Sequence, residues 1–145
     1  MKQRKRAATG LGLTLTLLFL FAIFMNLNFH TVIVDGQSMM PTFQPEDRVV
    51  VSKAYWLVGG IHDKDIVVIK DPTGDGYIIK RVFRMAGESV PVDKWPDNRR
   101  LEDGPYTVPD GMVYVLGDNL PESEDSRKFG PVSNDKIIGK VVVRP

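Results

Sequence analysis

The stretch Val34-Asp-Gly-Gln-Ser-Met-Met-Pro-Thr-Phe43 decides how the rest of the chain is read. The β-branched run Thr31-Val-Ile-Val34 ends in Asp35-Gly36, which predicts a short strand, Thr31 to Asp35, closing in a turn. Ser38 follows at once, and Pro41 stops any helix from forming. A serine on a strand-to-loop corner can aim its hydroxyl and its own amide N–H in one direction. That suits a nucleophile beside an oxyanion site. Serine is also an ordinary turn former, and on this stretch alone the plain turn is the simpler reading.

Upstream lies a segment of a different kind. Lys2, Arg4, Lys5 and Arg6 precede an apolar run from Leu11 that meets no acidic or basic residue until His30 and Asp35. As a helix, Leu11 to Phe29 would rise about 28 Å, close to the hydrocarbon thickness of a bilayer. Thr14 and Thr16 can bond back to the helix backbone. The basic cluster should stay in the cytoplasm and place everything after residue 30 outside. The expected organisation is a basic tail (residues 1–10), a single transmembrane anchor (11–30) and an extracytoplasmic β domain (31–145). A cleavable secretory signal has the same charge-then-apolar order but needs small residues at its exit, whereas this exit reads Asn26-Leu-Asn-Phe-His-Thr31. A buried core helix would have one polar side, and this run has none.

Composition narrows the class. One domain is expected from 145 residues. The absence of cysteine removes disulfides, thiol catalysis, zinc fingers and Fe–S clusters. Four of the nineteen basic residues sit in the N-terminal cluster, leaving fifteen against eighteen acidic, so bulk charge argues against nucleic acid as a partner. Downstream, Arg48 to Ser52, Asp65 to Lys70, Tyr77 to Phe83, Met112 to Leu116 and Lys136 to Val143 read as strands. Residues 65–83 read as a hairpin about the turn Asp71-Pro-Thr-Gly-Asp-Gly76. Gly139 marks a bend. No helical period appears after the anchor, which predicts a mainly β domain with an irregular sheet or partly open barrel. Tyr55 and Trp56 are residue types that sit either at a membrane interface or in a core.

Three local patterns can carry chemistry. His30 and His62 are expected off any strand and solvated. Neither reads as the base of a Ser-His-Asp triad, and two isolated histidines make no metal site. Lys80 stands in Tyr77-Ile-Ile-Lys-Arg-Val82, a run otherwise fit for burial. A buried ammonium loses hydration, so its neutral amine becomes populated and can take a serine proton. Locally, an edge lysine reaching solvent is the simpler reading, as for Lys53, Lys64 and Lys70. Gly117-Asp-Asn-Leu-Pro-Glu-Ser-Glu-Asp-Ser-Arg127 is rich in turn formers, and Arg127 beside Asp125 can stiffen it as a bidentate pair.

Together these stretches resemble the type I signal peptidase family. Gly-Gln-Ser-Met-Met-Pro-Thr is similar to its nucleophile segment, Asp47-Arg-Val-Val-Val51 to its second strand, and Tyr77-Ile-Ile-Lys-Arg-Val82 with Gly87-Glu88 to its lysine segment. Gly117 to Arg127 with Phe129-Gly-Pro-Val132 resembles its closing segment. The order is right, an apolar span precedes all four, and the match covers about residues 31–143. The resemblance implies a catalytic β domain of the signal-peptidase type. Ser38 would be the nucleophile, Lys80 the general base and Ser123 the group that orients the lysine. The Ser38 amide would form part of the oxyanion hole. Where some members carry a hydroxyl two residues before the nucleophile, this chain has Gly36. Asp125 with Arg127, and Asp118 with Arg81, would be pairs around the site. Val32, Val34, Met39, Phe43, Ile78 and Ile79 would line shallow pockets for small side chains.

The implied function is a membrane-anchored serine endopeptidase that removes signal peptides from exported preproteins after small-x-small sites, without cofactor or metal. Its partners would be the signal peptides and the lipid bilayer of the cytoplasmic membrane. Residues 89–111 are short where many members carry an extra β domain, so a loop or small hairpin is expected there. Two other readings stand beside this one: a specialised maturation peptidase of the same class, and an inactive tethered β module that binds exported proteins.

Overall fold

The computed structural model describes residues 2–143, with side chains described over residues 10–142. The side chains of Lys2, Arg4, Lys5 and Arg6, the expected cytoplasmic tail, lie outside that range. Helix α1 (Lys2–Asn28) starts well ahead of the expected span and runs without a break into strand β1 (Phe29–Ile33). Its segment Gly10–Asn28 has a mean hydropathy of 2.1, with none of it buried in the protein. It is long and apolar enough to cross a bilayer. The hydroxyls of Thr14 and Thr16 donate to the carbonyls of Gly10 and Gly12.

The helix gives way to strand two residues earlier than the β-branched run suggested. The cause is pairing. The Asn28 carbonyl already accepts from the Lys53 amide, and Phe29 lies opposite Ser52 in strand β2 (Arg48–Ser52). His30 is therefore in a strand, opposite Val51, contrary to expectation. Its side chain is exposed. At the other end, regular strand stops at Ile33. Val34 still donates to the Asp47 carbonyl and accepts from the Glu46 amide, which closes the loop between β1 and β2.

After β2 comes a one-turn helix, α2 (Tyr55–Val58), followed by β3 (Ile66–Lys70) and β4 (Tyr77–Met85). Strands β3 and β4 form the expected hairpin, although β4 runs two residues further because Arg81 to Met85 also pair with β7 (Met112–Leu116). Residues 89–110 hold a small hairpin, β5 (Ser89–Val90) with β6 (Tyr106–Thr107). The chain ends with α3 (Ser126–Phe129), β8 (Val132–Ser133) and β9 (Ile137–Val143). Both α2 and α3 were absent from the sequence reading, since four residues are too few to show a helical period. Trp56 on α2 is 77% exposed. Its ring lies 5.9 Å from that of Phe24 near the end of the apolar helix, so it belongs to the helix exit and not to the core.

The main sheet has the strand order β1-β2-β9-β3-β4-β7-β8. β1 and β4 are separated by three strands, so a flat sheet would hold them about 19 Å apart. Instead the loop leaving β1 lies against β4. The sheet curls into an open half-barrel, and Val34, Met39 and Phe43 from that loop join Val49, Val51, Val68 and Ile79 in one buried cluster. A second cluster joins Val67, Val82 and Val115 on the other side of the sheet, and a third packs the small hairpin beneath Tyr114 and Leu116.

Gly139 shows why the sheet closes where it does. It lies opposite Val68, beside a one-residue irregularity in the β3–β9 ladder. A Cβ there would come within 2.6 Å of a Val51 methyl and 2.8 Å of the Ser52 carbonyl oxygen. We predict that Gly139→Ala lowers stability by about 1–3 kcal/mol, the usual cost of overpacking. Urea unfolding checks this, and unchanged stability would mean that the two strands are not in such close contact.

Candidate active site

The site is assembled from three separate pieces of chain. The first is the loop between β1 and β2. Gly36 turns it with a φ of +79°, a conformation that strains any residue with a side chain. The loop then coils tightly, with the Met40 amide donating to the Gln37 carbonyl and the Phe43 amide to Met39. Met39 and Phe43 sink into the first cluster and hold Ser38 at the rim, where it is half-buried. Among the described residues, the Ser38 N–H donates to no other group.

The second piece is β4. Strand alternation puts Lys80 on the face shared by Ile78 and Val82, the face that packs into the second cluster. Lys80 is only 3% exposed. Its Nζ lies 2.7 Å from Ser38 Oγ. Burial pushes the amine below its usual range, against the smaller opposing pull of the carboxylates of Asp125, Asp71 and Glu124. The pair the sequence reading singled out therefore meets, and the amine is sheltered from water.

The third piece is the loop after β7. Asp125 is fully buried. It accepts from Arg127 Nε and Nη2, both at 2.9 Å, and from the Gly117 amide at 3.1 Å. Burial alone would raise this carboxyl, but the Arg127 guanidinium and the amide donors hold it below the usual carboxylate range. Ser123 is buried beside it. Its hydroxyl lies close enough to favour the ionised carboxylate, short of a well-formed hydrogen bond, and among the described residues it makes none. It is not bonded to Lys80. Gly117 lets these pieces touch: a Cβ there would collide with the Ser123 hydroxyl and come within 2.5 Å of the Ser38 carbonyl oxygen.

Asp118 bolts the loop to the other two pieces. Its carboxylate takes Arg81 Nε at 2.8 Å and Nη2 at 2.6 Å, and accepts from the Thr42 hydroxyl at 2.5 Å. Asn119 adds two further links. Its amide N–H donates to the Ser38 carbonyl at 2.9 Å and its side-chain Nδ2 to the Gln37 carbonyl at 3.1 Å. Thr42 and Asn119 escaped the sequence reading. Both stand inside the quoted stretches, but nothing in the spacing shows that Thr42 meets Asp118, 76 positions along the chain, or that Asn119 meets Gln37, 82 positions back.

Two clefts open from the Ser38–Lys80 pair. One, of about 270 Å³, runs between Ile33 to Asp35 and Tyr77 to Lys80 and is walled by Val34, Met39, Ile78 and Ile79. Val32 and Phe43 belong to the cluster beneath it. The other, of about 200 Å³, lies on the far side of Ser38 and is walled by Gly36, Gln37, Glu122 and Glu124. Larger clefts of about 330 and 430 Å³ elsewhere are lined by neither Ser38 nor Lys80. Both edges of the first cleft are open. Among the described residues, β1 pairs only with β2, and β4 before Arg81 pairs only with β3. The main-chain groups of Val34 and Val82 are spent on their inner neighbours, so by alternation those of Ile33, Asp35, Tyr77 and Ile79 face the cleft. Among the described residues no group of acidic and histidine side chains is placed to hold a metal ion.

The chain is similar in sequence to known proteins of one family. A family model described as signal peptidase, peptidase S26, matches residues 7–101 and 96–144. Signal peptidase I of Bacillus caldolyticus is 33% identical, over 80% of this chain and 79% of that protein. Signal peptidase I U of Bacillus subtilis (strain 168) is 32% identical, over 74% and 70%. Signal peptidase IB of Staphylococcus aureus (strain COL) is 30% identical, over 77% and 74%. A crystal structure of a signal peptidase I from Enterococcus faecalis V583 superposes with a TM-score of 0.45 at 25% identity, covering 57% of this chain and 97% of that one.

The Asp125–Arg127 pair carries a stability prediction. Arg127→Ala would leave a fully buried carboxylate with two backbone amide donors, from Gly117 and residue 127, and no paired guanidinium, at a cost of about 3–5 kcal/mol. The lowered carboxyl sets the sign with pH. Its stabilisation is complete above the ordinary carboxylate range and is lost as pH falls through the lowered folded value, so the gap between wild type and variant should narrow in acid. Urea unfolding across pH measures both, and a gap independent of pH would contradict the assignment.

Proposed function

Because the chain belongs to the peptidase S26 family of signal peptidases, and is a peptidase that removes signal peptides, we propose that it does so with Ser38 as nucleophile and Lys80 as general base. The observation that carries this reading is the 2.7 Å approach of a buried lysine amine to a serine hydroxyl at the meeting of two clefts. A neutral amine accepts the hydroxyl proton as Oγ attacks the scissile carbonyl. The carbonyl oxygen takes the negative charge and is met by the Ser38 N–H. Lys80, now an ammonium, returns the proton to the departing amine as the peptide bond breaks. Water then attacks the ester and gives a proton to Lys80, which returns it to Ser38 Oγ as the ester C–O bond breaks, freeing the signal-peptide carboxyl and restoring the neutral amine.

The substrate lies as an extended strand between the two open edges of the first cleft, with main-chain bonds to residues of β1 and β4. Alternate side chains point into walls already filled by Val34, Met39, Ile78 and Ile79. A larger side chain would clash, and this is the physical basis of a small-x-small preference. The helix at Gly10–Asn28 anchors the enzyme in the cytoplasmic membrane with the β domain outside, and Trp56 beside Phe24 sits at the interface. Confinement to the layer that also holds the signal peptide raises the effective substrate concentration.

Two experiments test the dyad. Ser38→Ala and Lys80→Ala should each reduce preprotein cleavage at least 100-fold, the scale of lost nucleophilic or general-base catalysis, with circular dichroism unchanged. Normal processing by either variant would rule the dyad out. The sign with pH follows from the lowered amine: above its shifted value it is neutral and reactive, and below it is protonated and cannot accept. Cleavage by wild type should therefore fall about tenfold per pH unit once pH drops through that value. A rate undiminished at pH 5 would refute the neutral-amine mechanism.

A further inference from the structure

A backbone amide is a useful oxyanion donor only if its peptide plane is held still and aimed. The amide in question, Ser38 N–H, belongs to the same peptide unit as the Gln37 carbonyl. In this chain the neighbouring position that could carry a hydroxyl donor is Gly36, so the backbone donor has no side-chain helper there. Its orientation therefore matters more. The loop carrying it is exposed at Asp35, Gly36 and Gln37, and Gly36 places no side chain in the core to hold it.

One side chain grips that peptide unit. Asn119 Nδ2 donates to the Gln37 carbonyl oxygen at 3.1 Å, on the end of the plane opposite the Ser38 N–H. The backbone N–H of Asn119 holds the next carbonyl, that of Ser38, at 2.9 Å. Two successive peptide units that flank the nucleophile are thus tied to one residue. Asn119 itself rests on the Gly117-Asp118 segment, which the Asp118–Arg81 pair and the Thr42 hydroxyl hold in register with the serine loop. A hydrogen bond received by a carbonyl also polarises the N–H at the other end of the same unit, which strengthens it as a donor.

We propose that Asn119 is a positioning residue for catalysis, whose side-chain amide fixes and polarises the Gln37–Ser38 peptide plane so that the Ser38 N–H meets the developing oxyanion. The proposal rests on the acyl-transfer reading of the site. It adds a residue that touches neither substrate nor Lys80 and acts in the transition state only.

The test uses Asn119→Ala and the nearly isosteric Asn119→Asp in the full-length protein. Both keep the backbone N–H bond to Ser38 and remove the side-chain donor to Gln37, whose carbonyl then keeps only the Met40 amide within its own loop. The expected result is a fall in kcat of roughly 10- to 100-fold, below the 100- to 1000-fold typical of losing a direct oxyanion donor, with KM within about twofold. The acid limb of the pH profile stays where wild type has it, because Lys80 is untouched. Affinity for a peptide aldehyde, which forms a tetrahedral adduct with Ser38, should drop in parallel with kcat, while binding of an uncleaved substrate peptide in the Ser38→Ala background stays the same. An unchanged kcat, a loss confined to KM, or a displaced pH profile would each overturn the proposal. Should both variants fail to fold, the wild-type protein decides: the Ser38 amide proton is expected to shift downfield in nuclear magnetic resonance when the aldehyde adduct forms, and no shift would overturn it. Failure of the underlying reading is separate, since only that failure would leave Ser38→Ala active.

Discussion

A primary amine kept dry beside a hydroxyl is the constraint on which the rest of this structure depends. Removing an ammonium from water is unfavourable, and a protein has two ways to meet that cost. It can supply a counter-charge, which keeps the amine protonated, or it can let the amine lose its proton. Asp125 is near enough to supply the counter-charge, and its pull on Lys80 is visible in the direction it exerts. Its oxygens, however, are already taken by the Arg127 guanidinium and the Gly117 amide. The carboxylate is thus satisfied without the lysine, and desolvation by the apolar stripe of Ile78 and Val82 dominates.

The same constraint explains the shape of the sheet. A serine in the loop after β1 and a lysine in β4 are separated by three intervening strands in the sheet order. Only a curl brings them together, and the curl needs a close approach wherever strands fold over one another. Gly139 supplies it between β9 and β2, and Gly117 between the closing loop and the serine loop. Once the pieces meet, the Arg81–Asp118 pair and the Thr42 hydroxyl hold them, while the Arg127–Asp125 pair stiffens the closing loop. The curl also leaves β1 and the first half of β4 without outer neighbours. Such edges are an aggregation hazard in most proteins, but here they face one another across a narrow cleft that can accept one strand.

The direct passage from helix to strand at Asn28–Phe29 links the site to the apolar helix without a linker. The Lys53 amide on the Asn28 carbonyl and the Phe24–Trp56 contact stiffen that junction. A short, braced connection sets the height of the serine relative to the helix end. That geometry suits a substrate whose own apolar segment lies in the same layer as the helix.

Much of this was legible from residue patterns. The apolar span, the β3–β4 hairpin and the mainly β character follow from hydropathy and β-branched runs, because those signals are short-range, whereas Ser38 and Lys80 stand out only through the family resemblance. The early helix end, the placing of His30 in a strand and the one-turn helices were not legible, since partners far along the chain impose them. The bonds from Asn119 to Gln37 and from Thr42 to Asp118, which join the serine loop to the closing segment, were equally hidden. A lone lysine in an apolar run reads as an edge residue until something shows that the run is covered. Whether an amine is wet or dry, and which carbonyl an asparagine holds, are properties of the space between segments. Chain order does not contain that space, and only the curl of the sheet creates it.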